Sequence, residues 1–171
     1  MMKVKTWDIF IRIFHWSVVT IILADFTFFE EGRVHELLGY ILLGLLGLRL
    51  IWGFVGTKYA RFKDFFPTPA RIKNHLNEIG GGEKTSYPGH NPIGALMIFN
   101  LYFSLLLLCL SGYLSITDRF WGIEWVEELH EFFAGYLLAS IALHVTGVLW
   151  ESRRSGINLI SAMITGIKKV P

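Results

Sequence analysis

One cysteine, Cys109, is all this chain has. That excludes a disulfide scaffold within the chain, and with it any Cys-x-x-Cys-His attachment of a prosthetic group through thioethers. Charge is nearly as scarce. Only 18% of the 171 residues are Asp, Glu, Lys or Arg, and the formal net charge is +2, which gives no reason to expect a nucleic-acid partner. Four of the five prolines (Pro67, Pro69, Pro88 and Pro92) crowd a single stretch. The sequence has no internal repeat and no low-complexity tract.

What the chain has instead is apolar bulk: 53% of residues are hydrophobic, and the mean hydropathy is +0.46. That is too greasy for a soluble domain of this size. Four runs are long enough to span about 30 Å of hydrocarbon at about 1.5 Å per residue: 9–29, 37–56, 94–116 and 132–150. The expected fold is an all-α membrane protein, a single domain over 1–171 built as a four-transmembrane-helix bundle. A cleavable leader ends in small residues, whereas the first run ends in Phe26, Phe28 and Phe29. It is therefore expected to persist as the first helix.

The connections differ in charge. Glu30–Glu36 and Thr117–Glu127 are short and acidic, and 57–92 is a long basic loop with the glycine run Gly80–Gly82. The tail over Asn158–Ile167 suits a short interfacial helix. With four spans, both termini and the long loop share one side of the membrane. That side collects Lys3, Lys5, Arg12, Arg49, Lys58, Arg61, Lys63, Arg71, Lys73, Lys84, Arg153, Arg154, Lys168 and Lys169, against Arg33 and Arg119 opposite. The positive-inside rule then predicts a multi-pass protein of the bacterial inner membrane, with both termini and the loop in the cytoplasm.

Four histidines stand out against this background. His15 lies in the first run, His35 opens the second, and His130 and His144 belong to the fourth. Ionisable groups at membrane depth are costly and usually functional, and histidine is a common axial ligand of haem. Any one of them alone is as well explained by a hydrogen bond to a neighbouring helix. Depth sorts them into pairs: His15 with His144 near the cytoplasmic face, and His35 with His130 near the outer face. Fourteen residues of helix separate His130 from His144, a rise of about 21 Å with an angular offset of roughly 40°. Both imidazoles therefore face one seam, and the pattern predicts two stacked haem groups. The pairs are too far apart to share one metal ion.

Other residues fit more loosely. Ala134, Gly135, Ala139, Ser140 and Gly147 would admit either a helix or a porphyrin face. Arg12, one turn before His15, suits a haem propionate or a simple cytoplasmic anchor. Arg49 lies within an apolar run, where it snorkels to the interface or meets a propionate or a quinone. Asp25 is expected to reach interfacial water, with proton handling as the alternative. Tyr102, Tyr113, Trp121, Trp125 and Trp150 read as interfacial or packing aromatics. His75 and His90, in the basic loop, read as solvated or interfacial.

Several segments together resemble the bacterial cytochrome b561 family, which includes cytochrome b subunits associated with nickel-iron hydrogenases. They are the opening Trp7-Asp8-Ile9-Phe10-Ile11-Arg12-Ile13-Phe14-His15-Trp16, then His35-Glu36-Leu37-Leu38-Gly39-Tyr40, Leu50-Ile51-Trp52-Gly53-Phe54-Val55-Gly56, Gly89-His90-Asn91-Pro92, Leu129-His130-Glu131 and the tail Ala162-Met163-Ile164-Thr165-Gly166. The resemblance covers nearly the whole chain. It implies four membrane helices, two non-covalent haem b groups on His15, His35, His130 and His144, and electron transfer linked to quinone.

The expected function is a membrane electron carrier between the quinone pool and a redox protein partner. One alternative is a superoxide:quinone oxidoreductase; another is a membrane anchor or haem subunit of a larger redox complex such as a hydrogenase. A haem-free transporter with a histidine proton relay is a third. A quinone site is expected at the cytoplasmic membrane edge from Arg49, His90 and Asn91, since a quinone needs donors for its carbonyls and a group titrating near neutrality. The plainer role for His90, Asn91 and Pro92 is to start the third helix.

Overall fold

The apolar runs become four long helices in the computed structural model, which describes residues 2–83 and 85–170. In chain order the elements are β1 (Met2–Lys5), α1 (Ile9–Phe28), α2 (Arg33–Val55), α3 (Phe62–Phe65), α4 (Pro69–Gly80), α5 (Pro92–Ser115), α6 (Glu124–Ser155), α7 (Leu159–Thr165) and β2 (Ile167–Val170). Helices α1, α2, α5 and α6 are each long and apolar enough to cross a membrane. The chain is a multi-pass, four-helix membrane protein. Lys84, one of the fourteen basic residues expected on the cytoplasmic side, lies outside the described residues, as do Met1 and Pro171 at the ends of the expected domain.

Local chemistry sets the helix starts. Asp8 caps α1, accepting the Ile11 N–H at 2.9 Å. Asn91 caps α5, accepting from Gly94 at 2.6 Å, with Pro92 in the first turn; both are favoured residues at those positions. Helix α6 ends on Gly156 at φ 70°, the left-handed stop that glycine takes without strain.

Three features depart from the sequence expectation. Helix α2 begins at Arg33 rather than Leu37, which brings His35 into its first turn. Helix α6 covers 32 residues, about 48 Å, longer than the roughly 30 Å of a bilayer's hydrocarbon core. Its first turn carries Glu124 and Glu127 and its last carries Arg153 and Arg154, each matching the helix dipole. The long basic loop holds two helices, α3 and α4, and the tail adds a strand, β2. That strand pairs antiparallel with β1, Met2 opposite Val170 and Lys5 opposite Ile167.

Packing divides the bundle into layers. A mid-bundle cluster of Ile22, Leu42, Leu46, Leu105 and Leu137 joins all four long helices. A second cluster, Trp7, Ile11, Ala60 and Ala162, seals the end that carries both termini. Large apolar side chains such as Ile13, Leu23, Phe54, Phe103 and Leu143 point outward, where lipid replaces water. Helix α6 lies along α5 but stands off α1 and α2. The seam between α6 and that pair is where the candidate site lies.

Candidate functional site

At the end of the bundle away from the termini, His35 and His130 meet with ring centres 5.9 Å apart and planes 87° apart. Two imidazoles that share one metal ion at about 2 Å each have ring centres roughly 6 Å apart. The hydrogen bonds decide which nitrogen of each ring is free. His35 Nδ1 lies 3.1 Å from Asp25 Oδ1 and 3.2 Å from the Phe29 carbonyl oxygen. A carbonyl only accepts, so this nitrogen carries the proton and Nε2 keeps its lone pair. His130 Nδ1 lies 3.1 Å from the Leu108 carbonyl oxygen and 3.2 Å from Ser111 Oγ, with the same consequence. Both rings hold the tautomer that a metal ligand needs. Gly112 makes room for the second ring: a Cβ there would lie 2.8 Å from His130 Cε1.

The opposite end gathers His15, His144, His90, Arg49 and Arg12. His15 and His144 are electrostatic neighbours, and His90 feels His144, Arg49 and Lys168. Nδ1 of His15, Nε of Arg12 and Nη1 of Arg49 are buried with no hydrogen-bond partner among the described residues. Arg49 is 1% exposed, so it does not snorkel. Its Nε donates to Tyr102 Oη at 2.8 Å and its Nη2 to the Ala60 carbonyl at 3.0 Å. That makes Tyr102 a polar partner within the bundle rather than an interfacial aromatic.

His75 and His90 are not solvated. His90 lies between the rings of Trp7 and Phe65, at 4.5 and 4.7 Å, and burial holds it well below the usual imidazole range. Its Nδ1 has no partner among the described residues. His75 is 1% exposed, with Nδ1 3.2 Å from Glu78 Oε2. The Trp7 ring that covers His90 comes from a segment distant in sequence, whereas His75 packs against the nearby Tyr87. Asn91 serves as the cap of α5, so its side-chain oxygen is engaged.

The resembling segments acquire physical roles here. Trp7 covers His90, and Asp8 accepts from Trp52 Nε1 at 3.0 Å and Thr57 Oγ1 at 2.6 Å, tying the start of α1 to the end of α2. Gly53 lies under the Phe62 ring. Gly166 accepts the Thr6 and Trp7 N–H groups through its carbonyl. Lys168, from β2, donates to the Tyr87 and Gly89 carbonyls at 3.1 and 2.5 Å, which fixes the segment leading to His90. Burial pulls its ammonium down to about 8. Sequence reasoning missed Asp25 as a partner of His35, Gly112, Tyr102 and Lys168. It also missed Asn100, which donates to Ser140 at 2.9 Å and accepts from Tyr136 at 2.6 Å between α5 and α6.

Two cavities adjoin the terminal end. One, of about 160 Å³, is lined by residues including His90, Phe65, Tyr87 and Arg71. The other, of about 200 Å³, lies against α2 and α5 and is lined by Leu46, Leu50, Phe62, Phe99, Tyr102, Phe103 and Leu106.

These residues fit b-type haem. Each end offers two histidines from different helices, the pair away from the termini is in the ligand tautomer, and the end near the termini holds buried guanidinium nitrogens of a kind suited to propionates. A family model described as prokaryotic cytochrome b561 matches residues 6–166. A probable Ni/Fe-hydrogenase B-type cytochrome subunit of Azotobacter vinelandii is 30% identical over 77% of this chain. A subunit of the same description from Rhizobium leguminosarum bv. viciae is 23% identical over 91% of this chain and 84% of its own length. One from Azotobacter chroococcum mcd 1 is 30% identical over 77% of this chain. The chain spans 65% of the length of each Azotobacter relative. No solved structure matches.

Proposed function

The chain belongs to the prokaryotic cytochrome b561 family, and from that premise we propose that it is a two-haem membrane electron carrier between quinone and a redox protein partner. Membership of a b-type cytochrome family brings haem b with it. The ligands are His15 and His144 at one level, and His35 and His130 at the other. The observation that carries the reading is the pair of histidine layers at opposite ends of the bundle, separated by the Ile22, Leu42, Leu46, Leu105 and Leu137 layer. Haem held by two histidines supplies a one-electron couple with no open iron position, which favours electron transfer over oxygen binding.

The protein's own residues do the rest. The mid-bundle layer keeps water out between the two levels. Arg12 and Arg49 neutralise propionate charge at the inner level. Quinone binds beside that level, where the buried, neutral His90 ring, Arg49 and Asn91 supply hydrogen-bond donors. Of the three, His90 also lines a space of about 160 Å³ shared with Phe65, Arg71 and Tyr87, similar in size to a cavity that holds one benzene ring. The apolar cavity beside Tyr102 suits a quinone tail. Both termini and the 57–92 segment lie in the cytoplasm, and the membrane is the bacterial inner membrane.

Quantifying haem as the pyridine complex tests the ligands. His144→Ala and His130→Ala should each leave about half the haem, and unchanged content in either variant removes that residue. His90→Ala should keep both haems and lose reduction by added quinol; a wild-type rate takes His90 out of the mechanism. The likeness to probable Ni/Fe-hydrogenase B-type cytochrome subunits favours a second reading, in which the chain is the haem subunit of a hydrogenase complex. Co-purification with a hydrogenase would support it.

A further inference from the structure

Asp25 lies where neither its helix nor the membrane favours it. It occupies the last turn of α1, where the helix dipole is negative and repels a carboxylate, and it belongs to an apolar span. Its side chain is 15% exposed, so it does not escape into water as the sequence led us to expect. It turns across the α1–α2 connection instead, to His35 Nδ1 at 3.1 Å. Residues that break local rules without a packing reward concentrate at functional sites.

We propose that Asp25 is a positioning residue for His35. It fixes the ring with Nε2 available as a ligand, and makes that imidazole the most electron-donating of the four. This rests on the reading of His35 as a haem ligand. A carboxylate that accepts the Nδ1 proton raises the basicity of the opposite nitrogen. A more basic ligand favours the ferric over the ferrous state and lowers the reduction potential.

The other three histidines lack such a partner. His130 Nδ1 meets a neutral carbonyl and a hydroxyl; among the described residues His15 Nδ1 has no hydrogen-bond partner and no side-chain hydrogen bond is found for His144. The inner level has buried guanidinium groups close by, and positive charge there favours the ferrous state. The outer haem is therefore the lower-potential member of the pair, and the asymmetry is built into the histidine surroundings.

An anaerobic redox titration of the purified holoprotein, followed spectroscopically, tests this. Asp25→Asn keeps a hydrogen-bond acceptor but removes the charge. It should retain both haems and favour reduction of the low-potential haem about tenfold, a rise of 59 mV for a one-electron couple, with the other haem unmoved. Two haems with wild-type potentials would overturn the assignment, as would an equal shift of both. If Asp25→Asn binds only one haem, Asp25→Glu decides. Two haems with the low potential preserved support the carboxylate role, and loss of haem there as well reduces Asp25 to a packing residue and overturns it. His35→Ala separates the premise from the inference. Should that variant keep both haems, the ligand reading itself fails; should it lose one while Asp25→Asn shifts nothing, only the role of Asp25 falls.

Discussion

Six histidines occur in the chain, and their surroundings divide them more sharply than their sequence neighbours do. His35 and His130 have their Nδ1 protons engaged, whereas Nδ1 of His15 and of His90 is buried without a partner among the described residues. The depth of the four in the long helices could be read from helical rise alone. The burial of His90 could not, since Trp7 and Phe65, which enclose it, come from other segments of the chain. Gly112 is the residue whose replacement isolates one level. A side chain there collides with His130, so Gly112→Val should displace the ring. Haem content should fall by about half, with the His15 and His144 level retained, and pyridine haemochrome analysis together with the reduced spectrum would show which haem remains. Full haem content would mean that the ring can shift and still bind.

Among the elements, the least foreseeable is the sheet formed by the two chain ends. Four-residue strands carrying Lys3, Lys5, Lys168 and Lys169 have little intrinsic reason to pair. They do so because Gly166 and Lys168 dock on the Trp7 and Tyr87–Gly89 backbone. Lys168 supplies a pH signature for that docking. Its folded value of about 8 lies below its free value of 10.5, so the folded state releases the proton first. Burying the charged form costs stability below about pH 8, and that cost is relieved as pH rises toward 10.5. The unfolding free energy should gain about 3 kcal/mol across this window, and the gain should vanish in Lys168→Met. Chemical denaturation in detergent at several pH values measures the difference between the two proteins, and equal slopes would refute it. Helices α5 and α6 are joined more conventionally for a membrane interior, through Asn100, Ser140 and Tyr136. Asn100→Leu should weaken that pair by about 0.6–1.7 kcal/mol, read as a lower unfolding midpoint in detergent.

At the scale of the whole molecule, charge and cofactor placement should agree on direction. A reporter fused after Pro171, or inserted near Gly81, should report the cytoplasm, and one near Glu124 the exterior. Reversed signals would exchange the sides of the two histidine levels without removing either. The number of spans, their apolar surfaces and the heights of the histidines follow from composition and helical rise, because a bilayer leaves the backbone of such segments no alternative to the helix. So does the cap at Asn91, a purely local interaction. Tertiary structure alone decided that α6 stands off α1 and α2, that Arg49 turns inward to Tyr102, that Asp25 reaches His35, and that the termini close over His90. Each of these depends on side chains brought together across helices, and hydropathy and periodicity report the environment of a segment but not which neighbour supplies it.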